Sequence, residues 1–88
     1  MGDIKKIVLE ILALILNKTI KDLALEDVYY RMDIKIINLT VIKEKLQKHF
    51  SFDISKLNIQ PTDSIEDTIV DIYKIKNNKI KRFKKQRI

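Results

Sequence analysis

Val28-Tyr-Tyr-Arg-Met-Asp-Ile-Lys-Ile-Ile-Asn-Leu39 and, downstream, His49-Phe-Ser-Phe-Asp-Ile54 frame the stretch on which the fold turns. The spacing of apolar residues between them predicts a helix from about Ile36 to His49, with Ile37, Val41 and Leu46 among its inward positions. His49, the single histidine, falls at the end of that helix, where a cation or hydrogen-bond donor is favourable. Phe50 to Ile54 then closes the segment, and a short irregular or helical piece follows.

Upstream, Asp3 to Asn17 has Ile4, Ile7, Val8, Ile11 and Ile15 at helical spacing, with Asp3 as the expected N-cap. Leu9, Leu12, Ala13 and Leu16 form a second apolar stripe beside the first. A bundle helix needs only one such stripe. The surplus is covered either by the chain's own long loop or by a partner, a second copy included. Residues 18–34 read as that loop, with a turn of helix near Leu25 to Tyr29. Downstream, Ser64 is expected to cap a last helix with Asp67 three residues on, and Ile65, Ile69, Ile72 and Tyr73 form its inner stripe.

Phe50-Ser-Phe-Asp-Ile54 resembles the Phe-Gly-Leu-Glu-Ile that closes the second helix of acyl carrier proteins, about fourteen residues after the serine that bears their phosphopantetheine arm. Counting back sets Lys35-Ile36-Ile37 where that family has Asp-Ser-Leu. Ile65-Glu-Asp-Thr-Ile-Val-Asp-Ile72 is similar to the family's last helix, Val-Gly-Asp-Ala-Val-Asp-Tyr-Ile. The resemblance covers about residues 4–75. It implies an all-α, four-helix acyl-carrier-protein-like bundle with three longer helices and a short one after Ile54. The departures are as telling. Ile36 stands for the serine, Lys35 and Asn38 for the flanking aspartates, and Asp33 for a usual glycine. Ile36 has no hydroxyl, so no phosphodiester can form there. The family's acidic second helix is replaced by one carrying Lys35, Lys43, Lys45 and Lys48 against Glu44.

Eighty-eight residues suffice for one small domain. Without cysteine there is no disulfide or thiolate metal site, which suits a cytoplasmic protein. A single glycine rules out a glycine-rich phosphate loop, and the longest apolar run, Ile11 to Leu16, is far short of a membrane span. Charge is segregated. Residues 1–73 hold ten Lys or Arg and twelve Asp or Glu, whereas residues 74–88 hold eight Lys or Arg and no acid. This divides the chain into a carrier-like helical domain, 1–75, and a basic tail, 76–88.

The functional expectation is a non-catalytic, arm-free relative of carrier proteins acting through protein contacts, with no cofactor and no metal. The acids Asp63, Glu66, Asp67 and Asp71 gather at one helix start and read as a solvated face; no histidine pairs with Ser51, Ser55 or Ser64 as a nucleophile's base. Contact candidates are Ile34, Lys35, Ile36 and Ile37, and, for a partner or homodimer on the first helix, Leu9, Leu12 and Leu16. Thr40, one turn below Ile36, carries a hydroxyl but not at an exposed helix start. The competing expectation is a polyanion-binding adaptor whose Lys79, Lys81, Arg82, Lys84, Lys85 and Arg87 meet nucleic acid or an anionic membrane. One aromatic, Phe83, is a poor base-stacking platform.

Overall fold

Three α-helices, α1 (Gly2–Leu16), α2 (Ile36–His49) and α3 (Ile65–Gln86), are joined by loops holding two 3-10 turns, Ile20–Asp22 and Tyr29–Met32. The computed structural model describes the backbone of residues 2–86 and the side chains of residues 3–77. Among these the only β pairing is an isolated antiparallel bridge between Val28 and Ser64.

Helix α1 begins one residue before the expected cap, so Asp3 lies within its first turn, where a carboxylate favours the helix dipole. It ends in a Schellman motif. Asn17 takes the left-handed conformation (φ 56°), Lys18 N–H donates to the Ala13 carbonyl (2.9 Å), and Asn17 N–H donates to that of Leu14 (3.3 Å). The same pair of bonds closes the Tyr29–Met32 turn. There Asp33 is left-handed (φ 61°), Ile34 N–H reaches Tyr29 O at 3.2 Å, and Asp33 N–H reaches Tyr30 O at 3.4 Å. The helical turn expected at Leu25 to Tyr29 thus begins four residues later, at Tyr29.

Helix α1 packs against both other helices, and this decides the fate of its two stripes. Ile4, Val8 and Ile11 are buried, and so are Leu9, Leu12 and Ala13. They join Leu39, Ile42 and Leu46 of α2 and Ile65, Ile69 and Ile72 of α3 in one core, completed by Tyr29, Ile34, Ile54 and Leu57. Two apolar stripes are needed because α1 has a helix on each of two sides.

Helix α2 is rotated from the expected setting. Leu39, Ile42 and Leu46, spaced i, i+3, i+7, face α1, while Ile37 is 72% exposed and Val41 is 37% exposed. On α3, Ile65, Ile69 and Ile72 are buried and Tyr73 partly so, as the periodicity predicts. The short helix expected after Ile54 does not form. Asp53 instead takes both the N–H (2.8 Å) and hydroxyl (3.0 Å) of Ser55, a local turn that competes with a helix start, and Pro61 follows soon after. Leu57 is buried from an irregular segment.

Candidate protein-contact site on the second helix

The start of α2 is held in place from below. Tyr29 N–H donates to Asp63 O (3.0 Å) and Tyr30 N–H to Pro61 O (2.9 Å). Ile65 N–H donates to Asp27 O (3.0 Å) and Glu66 N–H to Leu25 O (2.9 Å). These bonds stitch the long loop to the start of α3. Beneath them, the fully buried Tyr29 hydroxyl is hydrogen-bonded to the Thr68 hydroxyl of α3. Burial pushes the Tyr29 phenol up to about 12; the Thr68 bond opposes that rise, and the nearby carboxylates of Asp63, Asp67 and Asp71 add to it.

The acids near α3 are more than a solvated face. Asp67 accepts from Ser64 N–H (2.9 Å) while Ser64 Oγ accepts from Asp67 N–H (3.1 Å), the reciprocal box read from the sequence. Asp63 accepts from Gln60 N–H (2.9 Å) in the turn before it. Partial burial raises the Asp71 carboxyl above its ordinary value; Lys74 works against that rise, while Asp63 and Asp67 reinforce it.

From this anchor the chain passes through Asp33 to Ile34, which is buried, then to Lys35 at the N-cap of α2. Asn38 accepts from Lys35 N–H at 3.1 Å. The lysine has no acceptor to return the bond, so only half a capping box forms. Ile36 and Ile37 follow, 71% and 72% exposed. Of the first contact group, therefore, Lys35, Ile36 and Ile37 share a surface and Ile34 does not. Leu9 and Leu12 lie in the core and cannot meet a partner, and Leu16 is partly buried against that core. The exposed leucine of α1 is Leu14, at 74%, beside a shallow depression lined by Ile7, Glu10, Ile11 and His49.

Beside Ile36 an open groove of about 300 Å³ runs between α2 and the segment Leu57–Pro61, lined also by Leu39, Thr40 and Lys43. The chain that leads into its far wall is fastened to α2 by two side chains. Lys43 Nζ donates to Ser55 O (2.7 Å), and Gln47 both donates to Phe52 O (2.9 Å) and accepts from Ile54 N–H (2.7 Å). Phe50 and Phe52 pack with ring centroids 5.1 Å apart. The periodicity of α2 hid this groove, because its second wall is an irregular segment with no repeat to read.

Thr40 is exposed within α2, and His49 lies at the opposite end of that helix. Among the described residues no three His, Asp or Glu side chains gather in a way that could hold a metal ion, and no helix is long and apolar enough to cross a membrane. The side chains of Lys79, Lys81, Arg82, Lys84 and Lys85, and the whole of Arg87, lie outside the described residues, although the α3 backbone continues to Gln86, beyond the 75/76 boundary. The chain matches no protein-family model, no curated protein and no solved structure.

Proposed function

We propose that this chain is a non-catalytic protein of acyl-carrier-like, four-helix-bundle type without a phosphopantetheine arm, acting through protein contacts and modulating or scaffolding an acyl- or peptidyl-transfer system. One observation carries the reading: the residue at the start of α2, where the resemblance sets the arm-bearing serine, is an isoleucine 71% exposed to solvent. An exposed apolar side chain with no hydroxyl suits contact and not attachment. The order of the elements, a helix, a long loop, a helix and a last helix, agrees with that reading. On this reading the irregular segment after Ile54 would stand where the family has its short helix.

Incubation with coenzyme A and a broad-specificity phosphopantetheinyl transferase should leave the intact mass unchanged. A gain of the arm's mass, mapped to Thr40 or any serine, would refute the reading. The second reading, a polyanion-binding adaptor, is favoured by the segregation of eight cations and no acid into residues 74–88.

A further inference from the structure

Two adjacent isoleucines exposed by more than 70% are unusual in a chain whose Ile4, Ile11, Ile34, Ile42, Ile54, Ile65, Ile69 and Ile72 are all buried. Ile37 and Val41 are one turn apart on the same face, and Ile36 flanks them at the mouth of the groove toward Leu57–Pro61. The rest of that helix is cationic, with Lys35, Lys43, Lys45 and Lys48 against Glu44. Lys48 lies in the last turn of α2, where the dipole favours a cation, and Lys43 is tied to Ser55. Lys35 is different. It sits at the N-cap, where the dipole opposes a cation, makes no side-chain capping bond and is exposed. Among the described residues none is hydrogen-bonded to its ammonium group.

We propose that this face of α2 docks an amphipathic helical segment of an acidic partner protein. The groove, whose walls combine Ile36, Leu39 and Leu57 with the polar Thr40, Asn58 and Gln60, takes one side chain of that segment, while Ile36, Ile37 and Val41 cover its apolar stripe. Carboxylates on the rim pair with Lys35, Lys45 and Lys48. An apolar centre with a charged rim is the usual division of labour in such interfaces. A nucleic acid would find no aromatic among the residues that line the groove on which a base could stack. A bilayer would find a concave groove and too little apolar area. The proposal rests on the reading that the chain works through protein contacts, and names the kind of partner.

The test is a display selection of random helix-forming peptides on the full-length chain, with the Ile37→Glu/Val41→Glu variant as counter-target. Both substituted side chains are exposed, and circular dichroism checks that the variant keeps its helices; Ile37→Glu alone replaces it if the pair unfolds. Enriched peptides should be net acidic, with apolar residues at i, i+3, i+4 and i+7. They should bind the variant at least about tenfold more weakly and lose affinity with added salt. Lys35→Glu should weaken them as well. Basic or neutral enriched peptides, equal binding to the variant, or no enrichment would overturn the proposal. So would a wild-type dimer that Ile37→Glu dissociates, because the occupant would then be a second copy. The mass measurement on the intact chain is independent. Arm attachment removes the arm-free reading whatever the peptides do, and an unmodified chain that enriches none removes the docking proposal alone.

Discussion

The Tyr29–Thr68 hydrogen bond offers a quantitative check on how the long loop is held to α3. Both residues are essentially inaccessible, at 0% and 2% exposure, so neither hydroxyl can turn to water when its partner is removed. Thr68→Val leaves the Tyr29 hydroxyl buried and unpaired, a loss of about 1–3 kcal/mol. Tyr29→Phe should cost about 1 kcal/mol, toward the lower end of that range, because a helical threonine can turn its hydroxyl to the carbonyl four residues back. The double variant removes donor and acceptor together. Its loss should be close to that of Thr68→Val alone, a coupling of about 1 kcal/mol. Urea unfolding followed by circular dichroism measures all four corners of the cycle. Additivity within about 0.3–0.5 kcal/mol would refute the buried pair.

The same tyrosine gives an alkaline signature. Its folded value is raised from 10.0 to about 12, so between those values the folded chain keeps a proton that the unfolded chain has lost. The unfolded state then binds fewer protons, and stability must fall as pH rises through the window. Over two pH units that is about 3 kcal/mol, fully present below pH 10 and lost by about pH 12. The stability difference between wild type and Tyr29→Phe should therefore shrink or reverse across that window. A difference that stays constant from pH 9 to 12 would refute the burial.

Leu12→Ala should destabilise by about 2–5 kcal/mol, whereas Leu14→Ala should change stability by no more than about 0.5 kcal/mol; equal effects in thermal or urea unfolding would contradict the two-sided burial of α1. On the adaptor reading, a full-length chain with Lys79, Lys81, Arg82, Lys84 and Lys85 changed to Gln should bind duplex DNA or anionic vesicles more weakly and with a flatter salt dependence. Unchanged binding and slope would remove the tail from consideration.

Much of this fold is legible where one residue pattern has one structural solution. Ser64 and Asp67 bracket a helix start with a reciprocal pair of bonds that satisfies both N–H groups, and Ile65, Ile69 and Ile72 lie on a single stripe. Helix α1 is harder, because periodicity reports that Leu9 and Leu12 are apolar but not whether a second helix of the same chain covers them. Helix α2 misleads for a related reason. Ile37 and Val41 form one apolar row and Leu39, Ile42 and Leu46 another, and only packing against α1 selects between them. The groove and the Tyr29–Thr68 pair join residues far apart in the chain, so no short window contains them, and the Gln47 bridge, though local, has no repeat to read. Of the site, Lys35, Ile36 and Ile37 could be named in advance, while Val41 and the Leu57–Pro61 wall could not.

The stitching of residues 25–30 to residues 61–66 also has a kinetic consequence. The paired groups are separated by about thirty to forty residues of chain, with all of α2 inside the loop they close. Such pairings cost closure entropy before they return any enthalpy, whereas each helix assembles from neighbours. The stitch should therefore form after the helices have docked. Amides such as those of Tyr29 and Ile65 would then be among the last to gain protection during refolding, and weakening the stitch would mainly quicken unfolding and leave the folding rate nearly unchanged. The lifetime of the α2 surface, and not its formation, is what this remote seam governs.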